Sequence, residues 1–421
     1  MRIRMGLSEK HNQEIFVLLS GLVIVTLPIK ESLNSIAIIL FLAFLSYNII
    51  VVYRERKLKF NKHSLIFSLP FVYILIQFFY SEHEVYFRNL LRSITILLFP
   101  VGISLTTILF KASHKKILSI LVYSALFFSF LLLLIAFYRQ LVFSPDFSEI
   151  NWYFFAYRDF VAPLGVHSSY MGMYNCLAFA VLLNEVIMRN KITKRTLSSL
   201  FLLMLVIFLT GSRISLLCLF VIFFYLMFTR FKKIDKKILT IFLLFLTIVP
   251  TVVFKTVPIA KERMIDMTFG LKEKYSYAIY GNNNNGEGTI APRINYWKCA
   301  LEITRNNILF GNGYGYTQKR LNNCYSSIGQ HNYAILNYQT HNQYFNNLAR
   351  GGIFSLVILF VVLFYPLFYS IRRRMPLYTS FLIIIILTCV TENILNRHFG
   401  IIFYGFFNSM FFFNHKSFAN E

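Results

Sequence analysis

Long apolar runs, separated by short polar and basic stretches, recur along almost the whole chain. They fill positions 14–29, 33–53, 64–80, 89–110, 116–138, 167–188, 196–211, 213–229, 237–256, 344–370, 376–394 and 398–414. Most approach the roughly 20 residues that a helix needs to cross the hydrocarbon core of a bilayer. A backbone in lipid must satisfy its own hydrogen bonds, so runs of this length predict helices. The seventh and eighth runs meet at Thr210-Gly211-Ser212 with almost no loop, and a count of twelve depends on dividing them there. The pattern predicts an all-α polytopic membrane protein of about twelve transmembrane helices. Nine lie in residues 1–255, a large loop occupies 256–343, and three more helices and a short tail fill 344–421.

Composition agrees. Of 421 residues, 57% are hydrophobic and only 14% charged, too few charges to cover a soluble domain of that size. The net charge of +24 raises the question of nucleic acid, which the distribution of the basic residues answers. With the N-terminus in the cytoplasm and alternating spans, 24 of the 42 Lys and Arg fall on the cytoplasmic side. Only seven fall in the short loops and helix ends outside: Lys30, Arg88, Arg92, Arg139, Arg158, Arg213 and Arg397. This is the positive-inside asymmetry of a polytopic membrane protein with both termini cytoplasmic. It accounts for most of the charge without a nucleic-acid partner. The basic start feeds an apolar run with no small-residue cleavage site, so the first helix reads as a retained signal anchor.

The segment 256–343 is mostly polar and faces outward in this layout. It holds an Asn- and Gly-rich stretch, 280–288, that reads as flexible. A short amphipathic helix then opens at Pro292-Arg293, with Ile294, Trp297, Leu301 and Ile308 on one face, and ends at Gly311-Asn312-Gly313. A long loop on one face of a bundle is where function is expected. Cys299 and Cys324 share that loop and an oxidising compartment, which permits a disulfide. No Cys or His spacing suggests a metal site, and Glu82 and Glu84 read as a solvated turn.

The candidate chemistry gathers at the outer end. Arg213 stands at the start of a helix, where the dipole adds to its charge and favours an anion. Arg293 opens the loop helix. His341 shares a predicted helical face with Tyr344, Phe345 and Leu348, and its imidazole suits proton transfer near neutral pH. Asn342 and Tyr344 stand next to it as orienting or substrate-binding groups. Arg88 and Arg92, four apart, share a face, and an Arg inside a span calls for an anionic partner. Glu392, near Arg397 and His398, reads as a structural ion pair.

Several of these segments resemble the O-antigen ligase/polymerase family. They are Thr210-Gly211-Ser212-Arg213, the Arg293-x3-Trp297 helix with its Gly-rich exit, and His341-Asn342-Gln343-Tyr344 ahead of Gly351-Gly352. The twelve spans, the large loop between the ninth and tenth, and the segment from Thr391 to Ser409 fit the same resemblance. The resemblance implies a metal-independent, inverting glycosyltransferase without a cofactor, with Arg213, Arg293 and His341 catalytic and the active site periplasmic. Its donor is a glycan on undecaprenyl pyrophosphate and its acceptor a sugar hydroxyl of lipid A core. A polymerase of the same family would instead extend another carrier-linked glycan. A lipid-linked glycan flippase is the alternative of another class. The absence of two similar halves and of charges deep in the spans counts against it.

Overall fold

A computed structural model describes residues 9–81, 83–110, 114–144, 150–229 and 291–414, with a few positions between 235 and 257. The predicted helix at 237–256, the Asn-rich stretch, Glu82, the basic N-terminus and the C-terminal tail lie wholly or mostly outside the described residues. So do the side chains of Glu84 and Arg88.

No strand occurs among the described residues. In chain order the helices are α1 (Glu9–Thr26), α2 (Glu31–Arg54), α3 (His63–Ile76), α4 (His83–Ser93), α5 (Thr95–Thr106) and α6 (His114–Phe143). Then come α7 (Tyr157–Val161), α8 (Ser168–Arg189), α9 (Lys194–Leu209) and α10 (Arg213–Thr229). The last group is α11 (Ala291–Arg305), α12 (Gly313–Ser327), α13 (His331–Ile335), α14 (Gln343–Arg372), α15 (Pro376–Thr391) and α16 (His398–Phe413). Among the described residues, six apolar stretches are long enough to cross a membrane: Glu31–Arg54, His63–Tyr80, Asn89–Thr106, His114–Phe143, Ser168–Arg189 and Gln343–Arg372. Shorter apolar helices at Arg213–Thr229, Pro376–Thr391 and His398–Phe413 pack among them. The predicted run 89–110 is met by an apolar span from Asn89 to Thr106, with helical backbone at Ile94 between α4 and α5.

Burial separates the centre of the bundle from its rim. Every residue of α16 from Phe399 to Phe413 is buried. A helix apolar on all sides belongs inside a bundle, and α16 lies against α5 and α15. Phe rings fill this centre: Phe406 meets Phe41 and Phe99 at 5.7 and 5.8 Å, and Phe403 meets Phe381 at 5.5 Å. Tilted and edge-on rings of this kind pack densely without polar groups. By contrast α6 exposes Phe127, Phe130 and Phe137, the surface expected of a helix that faces lipid.

Helices α11 to α13 cap one end of the bundle around a small core of their own. Tyr296, Cys299 and Ala300 of α11 pack with Leu321, Cys324 and Tyr325 of α12 and with Tyr333 of α13. Cys299 and Cys324 form a disulfide. The buried stripe of α11 is therefore rotated from the predicted one. Leu301 and Ile308 are exposed, whereas Tyr296, Cys299, Ala300 and Thr304 are buried. The tyrosines and the disulfide, rather than the aliphatic residues, make the inward face. The segment between α11 and α12 crosses α14 at backbone distance: Asn312 N donates to Ala349 O at 3.0 Å, and Ile353 N to Ile308 O at 2.9 Å. Gly352, at φ +62°, interrupts α14 at that crossing, and a Cβ there would strike the Leu309 carbonyl.

Candidate functional site

The turn between α9 and α10 places the first arginine. Gly211 adopts φ +58°, a conformation that closes α9 at little steric cost. Ser212 Oγ then accepts from Ser215 N at 3.4 Å and from Ser215 Oγ at 2.8 Å, which caps α10. The apolar stretch is thus two helices, with Arg213 the first residue of the second. Gly172 of α8 lies against Ser215 so closely that a side chain there would displace it. Small residues at this crossing let α8 and α10 bring their polar ends together.

The second arginine and the histidine are placed as a pair. In α11 Arg293 and Trp297 are one turn apart, and Trp297 Nε1 donates to the Thr340 carbonyl at 3.0 Å. Its ring stacks on Phe345 at 5.5 Å. Asn393 Oδ1 accepts from Thr340 Oγ1 at 3.1 Å and from Asn342 N at 2.8 Å. Asn342 caps α14, its Oδ1 accepting from Tyr344 N and Phe345 N at 2.9 and 3.1 Å. His341 precedes this cap at φ +46°, so it is not part of the helical face predicted for it. The cap forces the chain to turn before α14, and the turn directs His341 toward α15 instead. Its ring lies beside Tyr296 and Tyr338, with centroids 5.9 and 6.4 Å away.

A solvent-open cleft of about 440 Å³ lies where these pieces meet. Arg213, Arg293, His167, Ser169, Tyr157 and Glu392 are among its walls. Glu392 joins the parts: its Oε2 is 3.4 Å from His341 Nδ1 and its Oε1 is 3.7 Å from Arg293 Nη2. Ser169 Oγ donates to Oε1 at 3.4 Å. The structure therefore brings Arg213 and Arg293 into one cleft and attaches His341 to it through Glu392. Burial pushes the Glu392 carboxyl up, but the hydrogen bond to His341 and the charges of His167, His341 and Arg293 outweigh it. The net effect holds Glu392 below the ordinary carboxylate range, so it is an anion.

The other expected residues lie elsewhere. Tyr344 donates to the Ile386 carbonyl at 3.0 Å and stacks on Phe360 at 5.7 Å, inside the bundle. Asn342 serves as a cap and also donates to Val390 O at 2.9 Å. Arg92 reaches the carbonyl of Asn396 at 3.4 Å rather than an anion. Glu392 does pair, but with Arg293 and His341, not with the Arg397 and His398 beside it. His398 Nε2 is instead 2.9 Å from Asn34 Oδ1. The role of Glu392 and of Asn393 was not visible in the sequence, because both act on residues about fifty positions away. The polar Thr391-Glu392-Asn393 interruption between two apolar helices was the one signal available.

Two guanidinium groups in a cleft suit a pyrophosphate, which they can bind with paired hydrogen bonds. A carboxylate in the same cleft repels phosphate, so its place there is explained by the imidazole it holds. Nδ1–H donated to Glu392 leaves Nε2 as an acceptor, the tautomer a general base requires. Residues 198–360 match the family model described as O-antigen ligase. The matched stretch contains Arg213, Arg293 and His341 but not Glu392. A search of curated proteins finds no significant match.

Proposed function

We propose, with the match over residues 198–360 supporting membership of the O-antigen ligase family, that this protein moves a glycan from a polyprenyl pyrophosphate to a sugar hydroxyl of lipid A core. The reaction breaks the bond between the anomeric carbon and the pyrophosphate oxygen. The electron pair leaves with the pyrophosphate, whose growing charge Arg213 and Arg293 neutralise. The acceptor hydroxyl attacks the anomeric carbon from the opposite face and inverts it. Its proton passes to His341 Nε2, while Glu392 holds the ring and balances the imidazolium that forms. The two arginines would supply the positive charge that a metal ion supplies in other phosphate-leaving reactions, so the proposal needs no metal. The positive-inside distribution of Lys and Arg supports a periplasmic location for the cleft. The observation that carries the reading is one cleft walled by Arg213 and Arg293, with His341 bound to its Glu392.

The test uses the purified full chain in detergent, with undecaprenyl-pyrophosphate-linked glycan as donor. Lipid A core and a second carrier-linked glycan are offered as separate acceptors, with EDTA present. The expected result is glycan on lipid A core at undiminished rate, and a fall of about 10²–10³-fold in kcat for Arg213→Ala. Loss of transfer with EDTA, or full activity in Arg213→Ala, contradicts the mechanism. Transfer only to the carrier-linked acceptor makes the protein a polymerase.

A further inference from the structure

One side chain in the wall of the cleft has no task in the transfer step described above. His167 lines it beside Ser168 and Ser169, the opening residues of α8, and opposite stand Ser212 and Arg213 at the start of α10. The positive ends of two helix dipoles thus lie at one space, which adds to the pull of the arginines on an anion.

His167 is the cap of α8. It sits in extended backbone just ahead of the helix, and its Nδ1 accepts from Ser169 N at 3.3 Å. That bond uses the Nδ1 lone pair, so the ring proton sits on Nε2. Among the described residues the His167 ring makes no other hydrogen bond, and its side chain is exposed. Histidine is an odd choice for this position, because Ser, Thr, Asp and Asn cap helices best. What it adds to a cap is a second nitrogen, further from the backbone, that carries a donor.

The neighbours of His167 indicate what that donor meets. Ser169, whose N–H the ring caps, gives its Oγ–H to Glu392 Oε1 at 3.4 Å. The same oxygen lies 3.7 Å from Arg293 Nη2, so the start of α8 is anchored on the carboxylate that holds Arg293. That carboxylate is already shared among Ser169, Arg293 and His341, and it takes no hydrogen bond from His167. An acceptor for Nε2–H is left to the ligand. In a cleft walled by two guanidinium groups the ligand rich in acceptors is a phosphate.

We propose that His167 is a third ligand of the donor's pyrophosphate, its Nε2–H donating to a phosphate oxygen beside Arg293. The inference rests on the reading of this cleft as a pyrophosphate site and adds a donor to it. The hydrogen bond strengthens as the leaving group gains charge, and no proton is transferred. The two histidines then present opposite tautomers: His341 offers a lone pair at Nε2 to the attacking hydroxyl, and His167 offers an N–H to the departing phosphate.

Asn and Gln separate the two ring nitrogens, because the amide of Asn reaches about as far as Nδ1 and that of Gln about as far as Nε2. His167→Asn keeps the cap and removes the outer donor. His167→Gln keeps an outer donor and loses the cap. Isothermal titration of the purified full chain in detergent with undecaprenyl pyrophosphate reads the affinity, and thermal unfolding reads Tm. His167→Asn is expected to bind about tenfold more weakly at wild-type Tm, the value of one hydrogen bond to a charged group. His167→Gln is expected to bind nearly as wild type at a lowered Tm. A residue that only caps would give the reverse order. Wild-type affinity in His167→Asn overturns the proposal, and so does a His167→Gln variant that binds as weakly as His167→Asn. If the Gln variant does not fold, the Asn variant decides. Arg213→Ala tests the underlying reading separately: it is expected to weaken binding strongly, and wild-type affinity there would remove the pyrophosphate site itself and His167's part in it.

Discussion

At the scale of single residues, Glu392 decides whether His341 acts as a base or as one more interfacial imidazole. Glu392→Gln keeps shape and hydrogen bonding but removes the charge that balances an imidazolium. It is expected to lower kcat about 10²-fold or more with little change in donor KM, as measured by steady-state transfer. Unchanged kcat would make the pair structural. The same carboxyl also links stability to pH. Its folded pKa lies below its ordinary value of 4.5, so the folded protein releases that proton more readily than the unfolded chain. The stabilisation is complete above the ordinary value and is lost as pH falls through the folded one. Thermal unfolding should therefore show a wild-type Tm that drops, as pH falls below the ordinary value of 4.5, more than that of Glu392→Gln. Equal slopes would mean that the carboxyl gains nothing on folding. The arginines were legible in the sequence because each opens a helix after a turn signal. Glu392 was not, since Arg397 and His398 stand nearer to it along the chain than the partners it meets in space.

At the scale of elements, hydrophobic runs gave the helices and missed how they are interrupted. The break in α14 at Gly352 lies beside a continuous apolar stretch, where periodicity carries no signal. The face of α11 differs from the expected one: of Ile294, Trp297, Leu301 and Ile308, Trp297 packs on the small core while Leu301 and Ile308 are exposed, and tyrosines and the disulfide fill the inward side. The Gly311–Gly352 crossing matters because it ties the cap carrying Arg293 to the helix that follows His341. Gly352→Ala combines positive φ with a clash against the Leu309 carbonyl. The conformational part alone costs about 1–3 kcal/mol, because φ +62° with ψ −160° is a region essentially confined to glycine. A lowered Tm and a lower kcat are expected together, read by thermal unfolding and by transfer. A Tm equal to wild type would mean that α14 accommodates the side chain without the crossing shown here.

For the whole molecule, the sequence pattern announced a polytopic helical bundle, and the charge distribution suggested which end faces outward. Convergence of Arg213, Arg293 and His341 at one end was expected, but that the α15–α16 connector joins them through Glu392 was not, because nothing in the order of helices fixes which ends meet. That convergence is the central claim, and residues that act together in one transition state lose their effects non-additively when removed. The most direct measurement is the single-turnover rate of polyprenyl pyrophosphate release by purified wild type, Arg293→Ala, His341→Ala and the double variant, all confirmed as folded. The account predicts that each single change slows release severely and that the double variant is about as slow as the worse single one. Near-normal release by either single variant, or a double variant slowed by the full product of the two, would contradict it.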